Sequence, residues 1–346
     1  MMMGLVRYIG RRAVYTVILL FVIVIFNFFL FQIFPFLFAC PGETYNQCAM
    51  HLYLGAAPGR GNITQQLIIA QEAINKSYGF TQPIPVRFVL YIKNMFTFNF
   101  GINVGPTSGL VGNVLSTIES RAPYTILLLG ASTIASFLVG IGIGVVAAAR
   151  RGKVVDVSSL AILLFLQSLP VFFLGSMLML GQVEAFHSSY VQVGVQTLHQ
   201  GGLGYLAGLL NAFFLPFLTL TIVGIGGVFL TQRAVMIDTM GEDYILMARA
   251  KGLPERTVLY KHAFRNAVLP IATAFALSLG FILSGAVVTE TVFSWPGLGQ
   301  AIYAGVIGVD FPLEQAMFFI ITLMVLICVF IVDCTYGFLD PRVSTG

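Results

Sequence analysis

Charge is scarce in this chain. Asp, Glu, Lys and Arg together make up 9% of it, where a soluble domain carries about 25%. Histidine and cysteine occur four times each and tryptophan once. These shortages exclude much chemistry. His51, His187, His199 and His262 are scattered, with no helix-spaced pair and no cysteine beside them, so no zinc-type ligand set is present. Gly152-Lys153 is followed by Val154 and has no glycine five residues upstream. A phosphate-cradling P-loop is therefore absent, and the chain cannot bind ATP by that route. There is no Gly-x-Ser-x-Gly nucleophile elbow. Cys328 and Cys334, six apart in an apolar run, read as small core residues.

Apolar sequence is what the chain has in excess. Apolar residues form 58% of it and come in continuous blocks. Each block reaches, or nearly reaches, the length that crosses about 30 Å of hydrocarbon at about 1.5 Å per residue. Six spans are expected, near 12–38, 123–149, 158–182, 212–232, 269–289 and 314–337. None has Asp, Glu, Lys or Arg in its central portion; Arg233, Glu290 and Asp333 stand at span edges. A proton relay or intramembrane acid site is thereby disfavoured. The fold class is an all-α membrane protein of six transmembrane helices, with one long extracytoplasmic loop between the first and second. The chain divides into residues 1–111, a first helix plus outer loop, and 112–338, five helices with a cytoplasmic loop at about 238–268.

Charge placement orients the spans. The first apolar run is roughly twice as long as a signal-peptide core and no small-residue cleavage site follows it, so it is expected to remain as a helix. Arg7, Arg11 and Arg12 precede it and Arg342 follows the last span, which puts both termini in the cytoplasm. Of the eighteen Lys and Arg, all but Arg60, Lys76, Arg87, Lys93 and Arg121 then fall inside. Those five lie in the long outer loop, which translocates largely regardless of charge. The net charge of +4 is a topology signal, with no aromatic-interleaved basic face for nucleic acid. In the outer loop, Cys40 and Cys48 could close a short disulfide or remain as two thiols. Asn62-Ile63-Thr64 and Asn75-Lys76-Ser77 match the glycosylation triplet.

The most informative stretch runs from Glu242 to Pro270 between two apolar spans. Glu242 and Asp243 suit a helix N-terminus. Tyr244 to Lys251 reads as about two helical turns. Gly252 is placed to cap it and Pro254 both stops it and opens a second helix. The short helix has an apolar side (Tyr244, Met247, Ala248) and a basic side (Arg249, Lys251), which suits docking in a groove. It also suits an amphipathic helix lying on lipid headgroups.

These residues resemble the signature of ABC-transporter type I importer permeases, in the version carried by the first, B-type subunit of the dipeptide/oligopeptide permease family. The resemblance rests on Asp243-Tyr244, Ala248-Arg249-Ala250-Lys251-Gly252-Leu253, His262-Ala263-Phe264-Arg265-Asn266-Ala267 and Leu269-Pro270. It extends over nearly the whole chain. Tyr8-Ile9-Gly10-Arg11-Arg12, Arg150-Arg151-Gly152 with Asp156, Ser168-Leu169-Pro170 with Phe172 and Gly175, Glu290-Thr291-Val292-Phe293-Ser294-Trp295-Pro296-Gly297-Leu298-Gly299 and Asp340-Pro341-Arg342 follow in order. The chain departs from the wider importer signature in having Leu246-Met247-Ala248 where that pattern reads Glu-Ala-Ala, and a more distant Leu-Pro; both are usual in the peptide branch. The outer loop with its cysteine pair is longer than the family pattern.

The resemblance implies a non-catalytic subunit that works by alternating access. It implies a second homologous permease subunit, two ATP-binding subunits that hold ATP and Mg, and an extracytoplasmic solute-binding protein. This chain itself would need no cofactor and no metal. Glu242, Asp243, Tyr244, Met247, Ala248, Arg249, Ala250, Lys251, Gly252 and Leu253 would form the ATPase contact. Spans three to six would line the pore, with Gln167, Ser168, Thr219 and Ser278 as candidates. Trp295, Pro296 and Gly297 would be an outer gate or receptor contact, or else an aromatic anchor at the membrane interface. The solute would be a dipeptide, an oligopeptide or an oligosaccharide. A stand-alone channel or secondary transporter is the alternative, but no polar ring or intramembrane ion site is visible for it.

Overall fold

The computed structural model describes residues 2–34, 79, 81–103, 112–186, 202–280, 282 and 286–339. Cys40, Cys48, Asn62 and Asn75 lie outside the described residues. Among the described residues the regular elements are all helical. Four helices are long and apolar enough to cross a membrane, and two bent helix pairs bring the number to six if each pair counts as one span. The chain divides into two compact units, residues 1–123 with 297–346, and residues 124–296.

The first unit is built on α1 (Met2–Gln32) and α12 (Phe311–Leu339), which pack side by side. Val24, Asn27 and Phe28 of α1 are buried, while Val14, Val17, Ile18, Phe21 and Val22 are exposed. One helical stripe thus meets protein and the remainder is left apolar, as a lipid-facing helix requires. Polar contacts fix the pair: Asn27 Nδ2 donates to the Gln315 carbonyl at 3.1 Å and Gln32 Nε2 to Gln315 Oε1 at 2.9 Å. Hydrogen bonds of this kind hold helices together where no hydrophobic force acts between them. Arg12 reaches Asp333 at 3.0 Å, so the start of α1 and the end of α12 lie together.

The expected outer loop contains a helix that its sequence did not announce, α2 (Ile84–Phe96). Arg87, Tyr91, Asn94 and Met95 form its buried stripe. Arg87 donates to the carbonyl and Oε1 of Gln32 at 3.2 and 2.9 Å. Burial pushes its guanidinium down to about 10, which leaves it charged at neutral pH. Two further elements complete the unit: the start of α3 (Val114–Ala149) and α11 (Leu298–Gly308), which packs on α12.

The second unit holds the rest of α3 with α4 (Val154–Ser168), α5 (Val171–Phe186), α6 (Gly202–Met240), α7 (Asp243–Ala250), α8 (Glu255–Thr257), the π-helical turn π1 (Val258–Ala263), α9 (Phe264–Gly280) and α10 (Val287–Val292). The third span, expected as one helix, is two helices bent by 97°. Leu169 at the break is extended, with φ −74° and ψ 132°. Residues before proline are pushed out of the helical region, and Pro170 follows it. The fifth span also differs from expectation. It was expected to begin near residue 269, but the helix is continuous there: Pro270 lies inside α9, where the path bends by 44°.

Close approach of α3 and α6 depends on glycine. A Cβ on Gly144 would stand 2.9 Å from Gln232 Cβ and 3.1 Å from the Phe229 carbonyl, and one on Gly140 would stand 2.8 Å from Val228 Cβ. Gly140 and Gly144 form the small-x-x-x-small spacing that lets membrane helices touch backbone to side chain.

Candidate functional site

The charged loop folds as its local sequence dictates. Glu242 is extended at the N-cap of α7, with Asp243 in the first turn. At the other end, the Gly252 amide bonds the Arg249 carbonyl at 2.9 Å and the Leu253 amide bonds the Ala248 carbonyl at 3.4 Å. Gly252 has φ +76°. This pairing with a left-handed residue is a Schellman cap, and Leu253 packs back on the same cluster as Ala248, as such caps favour. Pro254 then opens α8.

The underside of α7 is firmly seated. Ile245 and Ala248 are buried with Val145 and Ala148 of α3, Met236 of α6, Val258 and Ala263 of π1 and Ala267 of α9. Asn266 Nδ2 of α9 also donates to the Tyr244 hydroxyl at 2.8 Å. The short helix is thus locked to the ends of three spans. Its outer side carries Tyr244, Leu246 and Met247, which are 40%, 54% and 67% exposed.

This arrangement corrects the expected faces. Ala248 is in the buried side with Ile245, while Tyr244 and Met247 are on the open one. Ile245 and Leu246 were missed as site residues; the i, i+3 relation of Ile245 to Ala248 was the available signal. The basic side is also less free than its sequence suggested. Arg249 pairs with Glu255 at 3.0 Å at the surface, an exposed pair of small energetic weight. Lys251 is exposed.

Above the loop, α3, α6 and α9 line an open cavity of about 440 Å³. Ser132, Thr133, Ser136, Thr231 and Ser278 contribute hydroxyls to a wall otherwise made by apolar residues and glycine. Ser278 is one of the residues lining this cavity. Thr219 is not: it is fully buried and its hydroxyl donates to the Leu215 carbonyl at 2.8 Å. Backbone capping won over pore exposure there, the usual fate of threonine in a span. Gln167 and Ser168, at the end of α4, are exposed but outside this wall. The second span contributes to this wall through Leu129, Ser132, Thr133, Ser136 and Phe137.

Trp295 is a core residue of the second unit. It is 1% exposed, its Nε1 donates to the Tyr124 carbonyl at 3.1 Å, and its ring meets Tyr124 edge-on at 5.8 Å. A ring so enclosed cannot serve as an interfacial anchor, and it offers no surface to a receptor. Pro296 closes that unit. In the other unit, Gly297 stands at the N-cap of α11 and its carbonyl accepts from Arg121 at 3.5 Å.

One constellation was visible in the sequence only as Arg150-Arg151-Gly152 with Asp156. Asp156 accepts from Arg233 Nε at 2.6 Å and Nη2 at 2.8 Å, and from the Gly152 amide at 2.9 Å. This bidentate pair joins the first turn of α4 to α6, whose Met236 supports α7. Among the described residues no group of three or more His, Cys, Asp or Glu is placed to hold a metal.

Residues 140–345 match the family described as "Binding-protein-dependent transport system inner membrane component". The chain is 31% identical to the metal-staphylopine import system permease protein CntB of Staphylococcus aureus, over 84% of this chain and 86% of that one. It is 29% identical to the di/tripeptide transport system permease protein DppB of Pseudomonas aeruginosa, over 79% and 84%. It is 30% identical to the oligopeptide transport system permease protein AppB of Bacillus subtilis, over 79% and 85%. The chain belongs to the binding-protein-dependent transport system inner membrane components, as a multi-pass permease subunit of an ABC importer.

Proposed function

We propose that this chain forms half of the translocation pathway of a peptide importer and receives its power stroke through α7. The carrying observation is the two-sided seating of α7. Its underside is locked into the ends of α3, α6 and α9, while Leu246 and Met247 are presented outward. Exposed apolar side chains on a short, rigid, capped helix suit a protein groove. A push on α7 reaches the cavity wall, because α3, α6 and α9 form both the seat and the wall.

The partners in this reading are a second homologous permease, two ATP-binding subunits holding ATP and Mg, and an extracytoplasmic binding protein that delivers the solute. Hydrolysis belongs to the ATP-binding subunits. Residues Glu242 to Leu253 make the contact, in a cytoplasmic loop of about 238–268. Both termini are cytoplasmic: Arg7, Arg11 and Arg12 support this, and the Arg12–Asp333 contact supports a common side. The names of the Pseudomonas and Bacillus relatives favour a peptide over an oligosaccharide as solute.

The test uses the assembled importer in vesicles. Leu246→Glu and Met247→Glu alter only exposed positions, so the subunit should fold normally. Solute import and solute-stimulated ATPase activity should fall at least tenfold, or about 1.4 kcal/mol of lost docking. The binding protein's affinity for solute should not move. Normal coupled import by both variants would reduce α7 to a surface helix.

A further inference from the structure

The hydroxyls of the cavity wall have a shared polarity. Ser132 donates to the Leu129 carbonyl at 3.2 Å and Ser136 to the carbonyls of Ser132 and Thr221 at 2.7 and 3.1 Å. Thr231 donates to the Gly227 carbonyl at 2.9 Å and Ser278 to the Ala274 carbonyl at 2.9 Å. Each of these four O–H protons is committed to helix backbone. Each oxygen keeps acceptor capacity, because a hydroxyl has one donor and two lone pairs.

The rest of the wall offers little else. Among the described residues it contains no Asp, Glu, Lys, Arg, His, Asn, Gln, Tyr or Trp. Backbone N–H groups in its helices are already bonded within them. Thr133 brings the only remaining side-chain hydroxyl among the described lining residues. A carboxylate lying against this wall would find almost no donor and no cation to replace the water it displaces, which is unfavourable. An ammonium or amide N–H would find acceptor oxygens on Thr231 and Ser278, the two backbone-bonded hydroxyls of the wall that are not buried.

We propose that this wall is a hydrogen-bond-accepting surface, contacting the N–H-bearing groups of the solute and offering no place to a carboxylate. The inference rests on the translocation reading above and gives it a direction. For a zwitterionic peptide, ammonium and amide groups travel along this subunit. The carboxylates travel against whatever faces it across the pathway.

Thr231 and Ser278 are the positions to test, since neither is fully buried. Thr231→Val keeps the shape and removes the acceptor, and Ser278→Ala removes it with little loss of volume. The importer is reconstituted with its binding protein, and import of Ala-Lys-Ala and Ala-Glu-Ala is measured at saturating peptide. Rates are normalised to loaded binding protein, so a difference between permease variants originates in the permease. Each variant should slow Ala-Lys-Ala about three- to fivefold, the value of one hydrogen bond in such settings. Ala-Glu-Ala should slow less, shifting the ratio of the two rates. Ser158→Ala removes a similar hydroxyl outside the wall, donated to the Val155 carbonyl at 3.3 Å, and should leave the ratio unchanged. An unaltered ratio in Thr231→Val and Ser278→Ala, or a wild-type importer that moves only Ala-Glu-Ala, would overturn the proposal. If wild type imports neither peptide, the peptide reading itself fails.

Discussion

Replacing Arg233 with alanine should damage this subunit more than replacing Asp156, although the two share one ion pair. The Asp156 side chain is 2% exposed and that of Arg233 21%. Arg233→Ala leaves the carboxylate enclosed, with the Gly152 amide at 2.9 Å as its hydrogen-bond donor and the Arg151 charge nearby. Stranding a buried charge in this way costs about 3–5 kcal/mol. Water already reaches part of the pair, so about 3 kcal/mol is the expected value. Asp156→Ala leaves a guanidinium that can turn toward that water, at a cost of about 2 kcal/mol for the lost charged hydrogen bonds. The double variant should be less destabilised than Arg233→Ala alone, because no charge is stranded. Trp295, the single tryptophan, is buried in the same unit, so its fluorescence reports denaturant unfolding in mixed micelles. A stability loss below about 0.5 kcal/mol in Arg233→Ala, or a double variant equal to the sum of the singles, would refute the reasoning.

Four further outcomes are expected. Gly252→Ala should cost about 1–2 kcal/mol through its left-handed backbone alone, since no atom lies within 4 Å of an added Cβ; Gly252→Val should cost more and lower coupled import, read beside ATPase activity at equal assembly. Trp295→Phe should lose about 1 kcal/mol with the bond to the Tyr124 carbonyl, and Trp295→Ala about 3–5 kcal/mol, both visible as earlier thermal aggregation. Gly144→Leu should separate α3 from α6 at a cost of about 1–3 kcal/mol or more, seen as reduced yield of folded protein. A cysteine placed at position 250 should be labelled by a membrane-impermeant maleimide only from the cytoplasmic side; labelling from outside would invert the topology.

Much of the architecture was legible because it depends on local or additive properties. A hydrocarbon core demands long apolar runs, so composition alone determined that the chain crosses a membrane. The α7 loop was equally readable, since caps are local: Glu242, Gly252 and Pro254 stand within one short segment and each acts on its own backbone. Tertiary structure decided what depends on neighbours distant in sequence. Whether Thr219 or Ser278 meets the cavity is set by rotation of α6 and α9 against α3, and uniformly apolar spans carry no amphipathic stripe to reveal it. Trp295 looked like a surface aromatic because its own segment is turn-like; Tyr124 and Phe213, far away in sequence, bury it. Asp156 and Arg233 stand 77 residues apart, and only the packing of α4 on α6 makes them one bidentate pair. The faces of α7 were exchanged for the same reason. A two-turn helix of Tyr, Ile, Leu, Met and Ala has apolar residues all round, and the seat formed by α3, α6, π1 and α9 selects which of them are buried.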